Sequence, residues 1–148
     1  MSTKTLLSAV AVAAVLMGCA QLAPVKPPPI DARTLRCGSG PPCVIQVNVS
    51  CLLLLCKASV DQPIVVVSRE SGNVPIRWEL QNPNYKFAAN GIEFVAAGDE
   101  FKCGPLGAEG QRFQCVDKNS KRATTFKYIV NLVGSPPVPP LDPFVRNE

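Results

Sequence analysis

Seven cysteines and no histidine decide what chemistry this 148-residue chain can carry. Without imidazole there is no Ser-His-Asp or Cys-His nucleophile, no histidine metal ligand and no histidine switch near neutral pH. No two cysteines stand in C-x-x-C spacing. That spacing would mark a zinc knuckle or a redox-active dithiol, so neither a metal nor a cofactor is expected. Asp99 and Glu100 are adjacent acids in a turn. Neighbouring residues of an extended chain point to opposite faces, so the two do not form a paired acid and base. S-x-x-K, G-x-S-x-G, P-loop and G-x-G-x-x-G patterns are absent. The glycine-rich stretch Gly104-Pro-Leu-Gly107-Ala-Glu-Gly110 reads as a hairpin tip rather than a phosphate cradle. Trp78 lies in strict alternation and reads as core rather than as a sugar platform. The expectation is a protein that is not an enzyme.

The N-terminus carries an address. Met1 to Lys4 is polar with one positive charge, and Thr5 to Gly18 is uncharged and mostly apolar. This is the n-region and h-region order of a secretory signal. The apolar run is short of the ~20 residues that a spanning helix needs. Leu16-Met17-Gly18-Cys19 resembles the lipobox of bacterial lipoproteins. The resemblance covers this segment only. It implies that residues 1–18 are removed, that Cys19 is acylated, and that the partner of this end is a membrane. Ala20 in place of aspartate implies the outer membrane, facing the periplasm. Acyl chains contribute about 0.8 kcal/mol per buried methylene, and stable anchoring takes more than one chain. The remaining chain has 14 basic and 11 acidic side chains, scattered singly apart from Lys121-Arg122. No basic patch suggests a nucleic-acid partner.

Setting Cys19 aside leaves Cys37, Cys43, Cys51, Cys56, Cys103 and Cys115. An even set in an exported chain predicts disulfides. Cys103 with Cys115 is the favoured pair, because both fall on inward positions of neighbouring strands and close a short loop. Cys37 and Cys43 flank the turn-rich Gly-Ser-Gly-Pro-Pro. Cys51 with Cys56 requires Leu52 to Leu55 to form a loop. Cys37–Cys56 with Cys43–Cys51 is the rival arrangement.

Composition divides the chain. Residues 19–36 form a proline-rich tether, with Pro24, Pro27, Pro28 and Pro29. Extended as polyproline II at ~3.1 Å per residue, it would reach on the order of 50 Å. Residues 135–148 form a second proline-rich segment, read as a loose or surface-packed tail. Nine of the 15 prolines lie in these flanks, which marks residues 37–134 as the folded body. Within it the apolar period is two. Ile45, Val47 and Val49 alternate with Gln46 and Asn48, and Val74, Ile76, Trp78 and Leu80 with Arg77 and Glu79. Phe101 and Cys103 alternate with Glu100 and Lys102, Phe113 and Cys115 with Arg112 and Gln114, and Phe126, Tyr128, Val130 and Leu132 with Lys127 and Asn131. Ile64 to Val67 is apolar on both faces, as in the middle of a sheet. Turn residues, Asn90-Gly91 among them, separate about seven strands in this manner. The fold expected is an all-β, antiparallel, disulfide-stabilised sandwich. In architecture alone it resembles the immunoglobulin type, with a tryptophan on the third strand. Phe113 stands where that type has its corner tyrosine, and no antibody-like recognition surface is implied.

With no catalytic motif, loops on a rigid scaffold are left to act. Leu52, Leu53, Leu54 and Leu55 read first as a corner of the core; exposed, they would make an apolar knob of the kind that marks a partner or membrane site. Gly104, Gly107 and Gly110 mark the second candidate loop. The function expected is a non-enzymatic, lipid-anchored periplasmic envelope protein that binds another protein or supports an envelope assembly. An inhibitor or immunity lipoprotein that blocks a wall-degrading or toxic enzyme is the alternative, and a carrier of a small ligand or glycan the third.

Overall fold

The alternating segments do form strands. A computed structural model describes residues 25–31 and 33–148; the signal-like segment, the lipobox and Cys19 lie outside the described residues. The strands are β1 (Leu35–Cys37), β2 (Cys43–Leu52), β3 (Leu55–Val60), β4 (Ile64–Val67), β5 (Val74–Leu80), β6 (Tyr85–Phe94), β7 (Phe101–Pro105), β8 (Arg112–Asp117), β9 (Thr125–Gly134) and β10 (Phe144–Asn147). They form two five-stranded sheets, ordered β1-β4-β10-β9-β6 and β3-β2-β5-β8-β7. Among the described residues there is no helix.

Both sheets are mixed, where an antiparallel arrangement of about seven strands was expected. β1 and β10 each run parallel to β4, and β2 runs parallel to β5. The physical reason lies in the connections. After β3 the chain crosses to the other sheet to form β4, then returns to lay β5 beside β2. A period of two is the same for either strand direction, so alternation alone cannot distinguish them. β4 is buried at all four positions between two parallel neighbours, as its two-sided apolar sequence requires.

Each inward set meets the other sheet in one core. Val74, Ile76, Trp78 and Leu80 are buried along β5. Trp78 is fully buried and donates its indole N–H to the Tyr128 hydroxyl at 3.1 Å. The two rings meet edge to face with centroids 5.2 Å apart. Such a pair combines large apolar burial with a satisfied polar tip. Burial raises the Tyr128 pKa above the ordinary tyrosine value, outweighing the Trp78 hydrogen bond that favours the charged form.

Several local expectations change. Asn90-Gly91 does not end a strand; it lies inside β6 at a break in register between Phe87 and Ile92. Gly91 is required there, because a Cβ would come within 2.7 Å of Phe87 and 2.9 Å of the Phe113 ring. The flanking segments are also part of the sheets. β1 begins at Leu35, and Leu35 N–H donates to Gln62 Oε1. β10 comes from the proline-rich tail, with Phe144, Val145 and Asn147 buried. It fills the gap between β4 and β9.

Three disulfides join Cys37–Cys43, Cys51–Cys56 and Cys103–Cys115. The rival pairing of the first four cysteines does not occur. Cys103 and Cys115 are directly opposed on β7 and β8 with Cα atoms 4.0 Å apart. Cys115 is buried, but Cys103 is exposed rather than inward, because β7 is an edge strand. Replacing both by serine is expected to lower unfolding stability by about 2–4 kcal/mol. Chemical denaturation measures this, and thiol titration of the unreduced native chain should find no free cysteine among these six.

Candidate functional site

The leucine run is a hairpin, not a corner of the core. Cys51 faces Cys56 and Leu52 faces Leu55 across β2 and β3, and Leu53 and Leu54 make the turn. The four side chains are 77, 91, 81 and 81% exposed. Among the described residues none covers them, and β2 pairs with β5 only from Cys43 to Val47. Beyond Val47 the ladder pairs only β2 with β3; Val49, Cys56 and Ala58 still pack on the body, so the part that projects is the Leu52–Leu55 tip.

Its base is rigid. The Cys51–Cys56 disulfide staples the two strands directly below the four leucines. The Tyr85 hydroxyl sits against Cys56 Sγ at 3.2 Å and donates to the Pro136 carbonyl at 2.8 Å. Leu53 holds φ at 57°, a left-handed conformation that a β-branched residue would resist and that glycine or asparagine usually supplies. Leucine is therefore a costly choice for the turn itself. An exposed side chain that the turn does not favour points to a role for the leucine surface. Full burial of one leucine would contribute about 1.5–3 kcal/mol to any contact.

The Gly104–Gly110 segment leaves the same end of its sheet, since β8 starts opposite Glu79 near the end of β5. It stands two strands from the leucine hairpin across β5. Gly104 is a strand residue opposite Gln114. Gly107 and Gly110 hold φ at 82° and 73°. Gly110 is committed to the fold: its carbonyl accepts the Phe87 N–H at 2.8 Å, and a Cβ would press on the Lys86 side chain. The exposed tip of Gly107, Ala108 and Glu109 presents no large apolar group.

A polar cluster missed from the sequence lies in the interior. Glu100, which alternates with Phe101 and Cys103 in the sequence, is fully buried with Asp117 and Asn147. Glu100 accepts the backbone N–H groups of Ser120 at 2.6 Å and Lys121 at 3.0 Å, the Ser120 hydroxyl, and Asn147 Nδ2 at 3.2 Å. Burial raises its pKa, but these hydrogen bonds and the Lys121 charge outweigh burial and hold it below the ordinary glutamate value. Asp117 accepts Asn119 N–H at 2.8 Å and Asn147 Nδ2 at 3.3 Å. Burial pushes Asp117 up to about 6, and the neighbouring Glu100 carboxylate adds to the rise. Asp117 Oδ2, Asn119 Oδ1 and Asn147 Oδ1 have no partner among the described residues. The cluster joins β8 to the C-terminal strand through Asn147, with the exposed Ser120 and Lys121 at its rim. Its signal in the sequence was weak: an acid, Glu100, preceding an alternating run by one residue.

No family model matches the chain, and no curated protein is significantly similar to it.

Proposed function

We propose that this chain is a non-enzymatic, lipid-anchored protein of the bacterial envelope, held at Cys19 on the periplasmic face of the outer membrane, that acts through an apolar contact made by Leu52–Leu55. The exposed, disulfide-stapled leucine hairpin carries this reading. Four contiguous exposed leucines on a projecting rigid element are what a contact surface needs, because a few apolar anchors supply most binding energy. The lipobox Leu16-Met17-Gly18-Cys19 supports the anchor. At the finer level of fold, two packed β-sheets with a buried Trp78 support an immunoglobulin-like architecture, although the parallel pairs depart from the antibody pattern. The glycine hairpin, built into the β6–β8 packing, lacks the anchor residues that an enzyme-blocking loop would use.

The test compares three chains expressed from the full-length gene. Wild type should fractionate with membranes and carry acyl mass on Cys19. Cys19→Ser should lose that mass and enter the soluble periplasmic fraction. Leu53→Ser with Leu54→Ser should keep acyl mass and the wild-type unfolding midpoint while losing the hairpin's contact. Wild type without lipid mass refutes the anchor. A misfolded leucine variant would mean that the leucines support the fold rather than a contact.

A further inference from the structure

We infer that the occupant of the Leu52–Leu55 surface is the lipid bilayer itself: the hairpin tip inserts beside the acylated Cys19, so that the protein grips one membrane at two points. The inference rests on the proposed anchor for its second point, but the tip's own chemistry argues for it independently.

The first observation is shape. A protein groove covers one face of an inserted element and leaves the other toward water. Here Leu52 and Leu55 are paired across the ladder and Leu53 and Leu54 close the turn, so the last four residues are leucine with no polar side chain among them. All four are at least 77% exposed. An element apolar all round suits a medium that is apolar all round. The stapled base lets the tip enter as a preformed unit, without ordering a flexible loop. Lys57 lies on β3 opposite Ser50, two residues beyond the tip, where an ammonium can stay at the polar interface.

The second observation is reach. The tether is not a free arm of 17 residues. Val25, Lys26 and Pro28 border a shallow apolar recess with Val60, Pro63 and Leu141. Asp31 and Thr34 close a turn, and Leu35 enters the sheet. Only six peptide steps separate Cys19 from Val25, a span of at most ~20 Å. From Val60, on the rim of the same recess as the exposed Val25, five residues of β3 lead to Leu55, about 17 Å away. The spacer is long enough to cover that distance. A lipid on Cys19 and the leucine tip can therefore lie in one plane, and the short spacer keeps the tip close to that plane at high effective concentration. An arm reaching on the order of 50 Å would have had no such consequence.

The experiment places a reporter at the tip. Leu54→Trp is made in wild type and in the Cys19→Ser chain, and emission of buried Trp78 is subtracted using the parent proteins. Vesicles of phosphatidylethanolamine and phosphatidylglycerol carry bromine on their acyl chains. In both chains the tip emission should shift to the blue and be quenched by the brominated lipid. Adding Leu53→Ser with Leu55→Ser to the Cys19→Ser chain should weaken its partition into these vesicles by on the order of a hundredfold. Tip emission that stays water-like and unquenched on the acylated protein overturns the inference while leaving acyl mass, and hence the anchor, intact. Emission that shifts only when an envelope protein is added, and not with lipid, also overturns it, because the contact is then protein. Quenching at the tip of a wild-type chain that carries no acyl mass removes the anchor and upholds insertion.

Discussion

Removal of Phe144–Glu148 is expected to leave the chain without a cooperative fold. β10 is the central strand of its sheet, parallel to β4 on one side and antiparallel to β9 on the other. Without it the five-stranded sheet becomes two separate strand pairs, β1-β4 and β9-β6. Phe144 and Val145 are buried, each contributing about 1.5–3 kcal/mol, and removal of β10 opens the edge of β4, where Val65 and Val67 pair with Val145 and Asn147. Both ladders lose their hydrogen bonds, and Asn147 no longer donates to Glu100 and Asp117. The sum is comparable to the ~5–15 kcal/mol stability of a whole domain. The measurements are the urea transition and the emission of Trp78, which should move to the red as the indole meets water. Val145→Ala, a milder change, should cost about 1–3 kcal/mol and keep the transition. A truncated chain with a wild-type transition would mean that β10 is an accessory strand.

Composition marks residues 135–148 by their prolines, and prolines do end the ladder: Pro136 to Pro143 carry the chain across the sheet, with one bridge between Leu141 and Val130. The four residues after the last proline then pair on both sides. A four-residue apolar-polar stretch gives too little periodicity to identify by itself, and its parallel neighbour β4 is remote in sequence. The same limit hid the strand directions. The local facts were legible: the inward set of β5, the two-sided burial of β4, the all-β class and the Cys103–Cys115 pair.

The leucine hairpin shows a different limit. Four leucines predict burial because transfer from water favours it, and on that ground they were first placed in the core. The cysteines carried the opposing signal. Two sulfurs separated by four residues can meet only if those four fold back, and directly opposed strands put the tip farthest from the sheet. Hydrophobicity reports what a side chain prefers; the ladder decides whether the backbone allows it. Leu52–Leu55 violates its preference, and that violation is what makes it a candidate surface.

The buried acids should respond to mutation with opposite signs. Glu100→Ala removes the acceptor for Ser120 N–H, Lys121 N–H and the Ser120 hydroxyl, which are part-buried, and for Asn147 Nδ2, which is buried. Water can reach the Ser120 and Lys121 donors, and Asn147 keeps its bond to Asp117, so the expected loss at neutral pH is about 1–3 kcal/mol. Asp117→Asn should do the reverse. The native Asp117 pKa is about 6, above its ordinary 3.8, so the folded state holds this proton more tightly than the unfolded chain. Stability from this group is therefore full below pH ~4, falls as pH rises toward 6, and is lost above it. Glu100 has the opposite linkage, since its pKa is lowered: its contribution is present above the ordinary glutamate value of 4.5 and is lost as pH falls below it. Together they predict a stability maximum in mildly acidic solution, between the two losses. An asparagine mimics the protonated aspartate. Its Oδ1 keeps the bonds from Asn119 and Asn147, and its amide can donate where Asp117 Oδ2 now has no partner. The variant should gain about 2 kcal/mol at pH 7.5 and lose the slope between pH 4 and 6, while the acid-side fall due to Glu100 remains. Urea denaturation from pH 4 to 8 reads all three features. If the parent protein shows no slope between pH 4 and 6, Asp117 is ionised in the fold and the asparagine variant should be no more stable than wild type.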